Sequence, residues 1–148
     1  MRALLHELAG CSEKANNALS ITILRGLNMG RVVHFEISAD DTKRAVSFYK
    51  KAFGWSIENW GGGMEYWLVK TGEKDQMGID GAIMPREPDS SPTINTIAVE
   101  DLDEAIRKIE TAGGKRVSEK NSIPNIGLFC YCKDTEGNKF GILQPLGM

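Results

Sequence analysis

His34 and Glu36 stand two residues apart in the run 32–38, VVHFEIS. The run is rich in β-branched residues and alternates, so it reads as a strand. Strand side chains point to opposite faces in turn, so an imidazole and a carboxylate share one face here. Such a pair can hold a divalent cation, anchor a polar ligand, or act as acid and base, since an unperturbed imidazole titrates at about pH 6.5. Two donors make a weak metal site, because zinc ordinarily takes three or four protein ligands. Asp80 is a third candidate, provided a bulge turns it towards the pair. The plainer reading makes His34 a hydrogen-bonded neutral histidine. Glu36 is then a carboxylate paired with Lys, Arg or backbone donors.

Two further constellations carry chemistry. Cys130 and Cys132 share a strand-like run, and Cys11 makes the count odd. Two cysteines on one face of an extended strand do not suit ordinary disulfide geometry. Reduced thiols in a cytoplasmic protein follow. No second Cys or His pair lies near enough in sequence to complete a metal site with them. Trp60 and Trp67 flank Gly61-Gly62-Gly63. One ring could close over a planar ligand, and the loop is either a lid or a long hairpin connection. No helix follows the glycines, which argues against a phosphate cradle. Most of the other aromatics, Trp55, Tyr66, Phe129 and Tyr131 among them, read as core packing.

The elements that must position these residues occur twice. Asp41, Ala45, Ala52, Gly54, Leu68, Gly81 and Pro85 match Asp101, Ala105, Ala112, Gly114, Leu128, Gly141 and Pro145, every pair 60 residues apart. In each copy a strand leads to an Asp N-cap and an amphipathic helix, over 42–53 and 101–112, that stops at glycine. Three strands follow, over 55–60, 65–70 and 78–84 in the first copy and 115–120, 127–132 and 139–144 in the second. The predicted class is α+β: two tandem βαβββ modules forming a curved, mostly antiparallel, eight-stranded sheet with the helices outside. The first module spans 31–85, a Pro- and Ser-rich linker 86–92, and the second module 93–146. The site is expected where the modules meet, with corresponding residues facing each other. Residues 1–28 lie outside the repeat. They read as a short helical or disordered extension, and the domain proper as 29–148. Leu8-Ala9-Gly10-Cys11 has the form of a lipoprotein cleavage box but lacks the apolar stretch before it.

The chain has 148 residues, 41% hydrophobic and 26% charged, with a formal net charge of −2. That suits one domain or two half-domains sharing a core. The scattered positive charges leave no footprint for nucleic acid. No apolar run reaches the roughly 18 residues of a membrane-spanning helix.

Several runs resemble the vicinal oxygen chelate superfamily, which holds glyoxalase I, bleomycin-resistance proteins, fosfomycin-modifying enzymes and extradiol dioxygenases. They are His34-Phe35-Glu36-Ile37, the stretch FYKKAFGW at 48–55, VEDLDEA at 99–105, Ala112-Gly113-Gly114 and DTEGN at 134–138. The resemblance covers 31–146 and looks closest to glyoxalase-related proteins. It implies a homodimer that binds a small molecule, and one divalent metal held from the first and last strand of each half. The first of those positions matches His34. The others match Ile94, Gly81 and Gly141, none of which has a ligating side chain. The implied function is a small-molecule-binding protein with a degenerate metal site and at most a weakly bound divalent metal. His34 and Glu36 are its candidate catalytic residues. Trp60, Trp67, Ile94, Thr96 and Phe129 are candidate ligand contacts. The alternative is a metal-dependent lyase, isomerase or dioxygenase with rearranged ligands.

Overall fold

Asp41 and Asp101 set the pattern of the fold by the same device. Each has extended backbone, and its carboxylate accepts the amide N–H three residues on, from Arg44 at 2.9 Å and from Glu104 at 2.7 Å. That satisfies one of the orphan donors of a helix start. The helices that follow are α1 (Thr42–Phe53) and α2 (Leu102–Thr111). The computed structural model describes residues 30–147. The expectations for 1–28, the cleavage-box form and Cys11 lie outside the described residues. The chain divides into two units. One is Val33–Ile94, and the other holds residues 30–32 with 95–147.

The first unit carries β1 (Val32–Ala39, whose first residue falls in the other unit), α1, β2 (Ser56–Asn59), β3 (Trp67–Lys70) and β4 (Gly81–Pro85), in the sheet order β2-β3-β4-β1. β1 runs parallel to β4, and the other pairs are antiparallel. Val46 of α1 packs on Ala39, Ile57, Val69 and Ile83, with Phe35, Ile37, Tyr49 and Trp55 around them. The Tyr49 and Trp55 rings stack 4.7 Å apart. The linker is tied back to β1. Ser38 donates its N–H to the Pro92 carbonyl and its hydroxyl to the Ser91 carbonyl.

The second unit carries β5 (Thr93–Ala98, whose first two residues fall in the other unit), α2, β6 (Lys115–Arg116), β7 (Asn121–Ile123), β8 (Gly127–Lys133) and β9 (Lys139–Pro145). Its order is β5-β9-β8-β6, with β7 also on β8. β5 and β9 are parallel and the rest antiparallel. Leu102 and Ile106 of α2 pack on Cys130, Cys132 and Ile142. The α+β architecture of two βαβββ modules is thus present, with nine strands among the described residues. The extra strand, β7, lies just past the run expected over 115–120, of which only β6 forms. Ser118 uses its hydroxyl, not its backbone, to accept the Tyr131 N–H, and this breaks the ladder between β6 and β7. The run expected from 78 begins only at Gly81. Thr71 holds the segment before it as a loop, donating its hydroxyl to the Ile79 carbonyl and its N–H to the Asp80 carboxylate.

The 60-residue register does not persist through both modules. It holds at the N-caps, then slips by one at the helix C-termini. α1 is closed by Gly54 at φ 69°, and α2 by Gly113 at φ 97°, both in the left-handed region that glycine enters without penalty. These two glycines are 59 apart. Beyond them the strands are out of phase: Gly81 pairs with Phe35, whereas Gly141 pairs with Thr96.

Candidate functional site

β1 alternates strictly. Phe35, Ile37 and Ala39 turn to the α1 core. His34, Glu36 and Ser38 turn to the other face, all buried, with Glu36 only 1% exposed. An isolated buried carboxylate is costly unless it is hydrogen-bonded. Its partner is Tyr66, just before β3 and 2% exposed. The Tyr66 hydroxyl donates to Glu36 Oε1 at 3.0 Å and lies 3.3 Å from His34 Nε2. The loop before β3 holds this tyrosine in place: Tyr66 accepts the Trp60 N–H and donates its own N–H to Met64. Thr42, the first residue of α1, donates its hydroxyl to the Glu65 carboxylate next door. The result is a buried chain His34–Tyr66–Glu36. It can bind a polar ligand group or pass a proton along three adjacent oxygen and nitrogen atoms.

The register fixes what else shares this face. Glu36 lies beside Ala82 and not Gly81, because paired residues of neighbouring strands point the same way. Gly81 lies on the α1 side, where a Cβ would strike the Phe35 carbonyl and ring. Gly81 therefore does not share the face of Glu36, and Ala82, which does, offers no donor either. Ile94, 1% exposed on β5, offers none. Asp80 does not join the pair, since its carboxylate is exposed and accepts from Thr71. Among the described residues no three of His, Cys, Asp and Glu converge on a point. The side chains of this unit do not fit the family's divalent metal.

In the second unit, Thr96, Phe129 and Gly141 come together. A Cβ on Gly141 would lie 2.6 Å from the Phe129 ring and 2.8 Å from Thr96 Oγ1. Thr96 is fully buried, and its hydroxyl has no hydrogen-bond partner. Phe129 meets Tyr131 edge-on at 4.8 Å, with Lys139 Nζ 4.5 Å over the Tyr131 ring. Cys130 and Cys132 face the α2 core as free, fully buried thiols.

The two tryptophans lie in different surroundings. Trp67 pairs with Ile83 and packs on the α1 core, opposite the face of Glu36, because it differs from Tyr66 by one step of the strand. Trp60 lays its ring on Gly62 of its own loop, so closely that a Cβ there would overlap it. Tyr66 is the site residue that sequence reasoning read as packing. Its face follows from its distance to Leu68, two residues on, which pairs with Ala82 beside Glu36.

The matches to known proteins agree with this scaffold. A model of the Glyoxalase/Bleomycin resistance protein/Dioxygenase superfamily matches residues 31–142. A glyoxylase-like domain-containing protein of Didymella fabae is 30% identical over 128 residues, 80% of this chain and 96% of that protein. CFP32 of Mycobacterium tuberculosis, named as a candidate glyoxylase, is 27% identical over 134 residues. The chain spans about half the length of that protein. Among solved structures, a superfamily member from Vibrio splendidus aligns with a TM-score of 0.59 over 79% of this chain and 99% of that one. Methylmalonyl-CoA epimerase from Mycobacterium tuberculosis aligns with a TM-score of 0.55 over 83% and 95%. Both are 16% identical and share the fold.

Proposed function

Because the chain belongs to the glyoxalase/bleomycin resistance protein/dioxygenase superfamily, we propose that it binds a small organic molecule through the His34–Tyr66–Glu36 chain without a divalent metal. The observation that carries this reading is the spending of both ligating side chains on a tyrosine. A carbonyl, carboxylate or enol oxygen is the ligand group that such a chain recognises, by accepting from or donating to its polar atoms. Proton transfer at a carbon next to that oxygen is the chemistry it would support, with His34 or Glu36 as the exchanging group. The protein is read as a cytoplasmic homodimer, like the family it resembles.

The test has two parts. Metal analysis of the purified protein is expected to find no stoichiometric divalent metal. Calorimetric screening against thiol adducts of α-ketoaldehydes, coenzyme A thioesters, catechols and glycopeptide antibiotics is expected to find a ligand that His34→Ala binds at least tenfold more weakly. A tightly held metal that His34→Ala releases would overturn the reading.

A further inference from the structure

We propose that Tyr66 is a metal-excluding residue, whose hydroxyl stands in for the cation between His34 and Glu36. A phenol carries one proton. Tyr66 donates that proton to Glu36 Oε1, so towards His34 its oxygen offers only a lone pair. His34 Nε2 must then carry a hydrogen, and a protonated imidazole nitrogen has no lone pair for a metal. Glu36 is held by the same oxygen. A cation entering here would have to break both bonds, move the imidazole proton elsewhere, and part the hydroxyl of a tyrosine that is 2% exposed from His34 and Glu36. Ile94 and Ala82 add no donors to His34 and Glu36. Tyr66 engages both of those side chains through one oxygen. Removing the hydroxyl takes from both of them the bond that an entering cation would have to break, while phenylalanine keeps the ring and its packing. The inference uses the residues of the reading above but no particular ligand, so a failed ligand screen leaves it standing.

Two measurements test it. In a His6→Ala background His34 is the only histidine, and nitrogen NMR reads its protonated nitrogen directly. The expected result at neutral pH is a hydrogen on Nε2. A bare Nε2 in the otherwise unchanged protein would overturn the proposal. In the same background, Tyr66→Phe is expected to bind Co2+ at least tenfold more tightly than its parent, read by visible absorbance, and adding His34→Ala should abolish the gain. A folded Tyr66→Phe protein that binds no more tightly than its parent would also overturn it. Should that variant not fold, the NMR result on the parent decides alone.

Discussion

Thr96 is a buried polar side chain whose hydroxyl finds no hydrogen bond among the described residues. A buried hydroxyl in that state costs about 1–3 kcal/mol, so Thr96→Val is expected to raise unfolding stability by about 1 kcal/mol. Urea denaturation checks this, and a loss of stability would show that the hydroxyl has a partner in solution. Its neighbour Gly141 answers to space: Gly141→Ala forces a methyl into the Phe129 ring, with an expected loss of about 1–3 kcal/mol in the same assay. Of the site, His34 and Glu36 were legible because a period of two puts them on one face whatever surrounds them. Tyr66 was not, because its meeting with Glu36 depends on strand pairing and on a loop held by the Thr42–Glu65 bond. Trp67, one residue from Tyr66, lies on the other side for the same reason.

The helices were readable almost to the residue, since an Asp cap and a glycine stop are local signals. Asp41→Ala and Asp101→Ala should each cost about 1 kcal/mol, measured by thermal or urea unfolding of the single variants. The strand ends were less readable. Thr71 reaching across to Ile79 and Asp80 is a contact between residues eight and nine apart, and no local pattern announces it. The turn before β9 was legible as DTEGN, and the structure adds its pH response. The Asn138 side chain, with the backbone N–H groups of Asn138 and Glu136, bonds the Asp134 carboxylate and holds its pKa below the usual range. A depressed carboxylate stabilises the fold above its unfolded pKa of about 3.9, and that contribution disappears as pH falls through the folded value. Asp134→Ala is therefore expected to destabilise at neutral pH, with the gap from the parent closing in acid. Denaturation curves from pH 7 to pH 2 follow the gap, and a constant difference would refute the assignment.

For the molecule as a whole, the repeat points to the class of fold, and the motif runs along it point to the family. The two thiols report on the integrity of that fold. Cys130 and Cys132 are both fully buried under α2, and the hydrogen bond to Cys132, together with burial, pushes the Cys130 thiol far above its ordinary range. In a Cys11→Ser background, a thiol reagent should label the native protein only as fast as it opens, and urea should accelerate labelling in step with unfolding. Rapid labelling in native buffer would mean that α2 lifts off by itself. What the repeat concealed was its own defect, since a one-residue slip leaves most matched residue types in place while inverting the faces of the later strands.

That slip sets a rule for recombining the two copies. A strand transplanted from one module into the other must be spliced so that Gly141 replaces Ala82. Aligning like with like, glycine upon glycine, would turn the graft inside out, sending its oily residues to the polar side and its polar residues into the hydrocarbon beneath the helix.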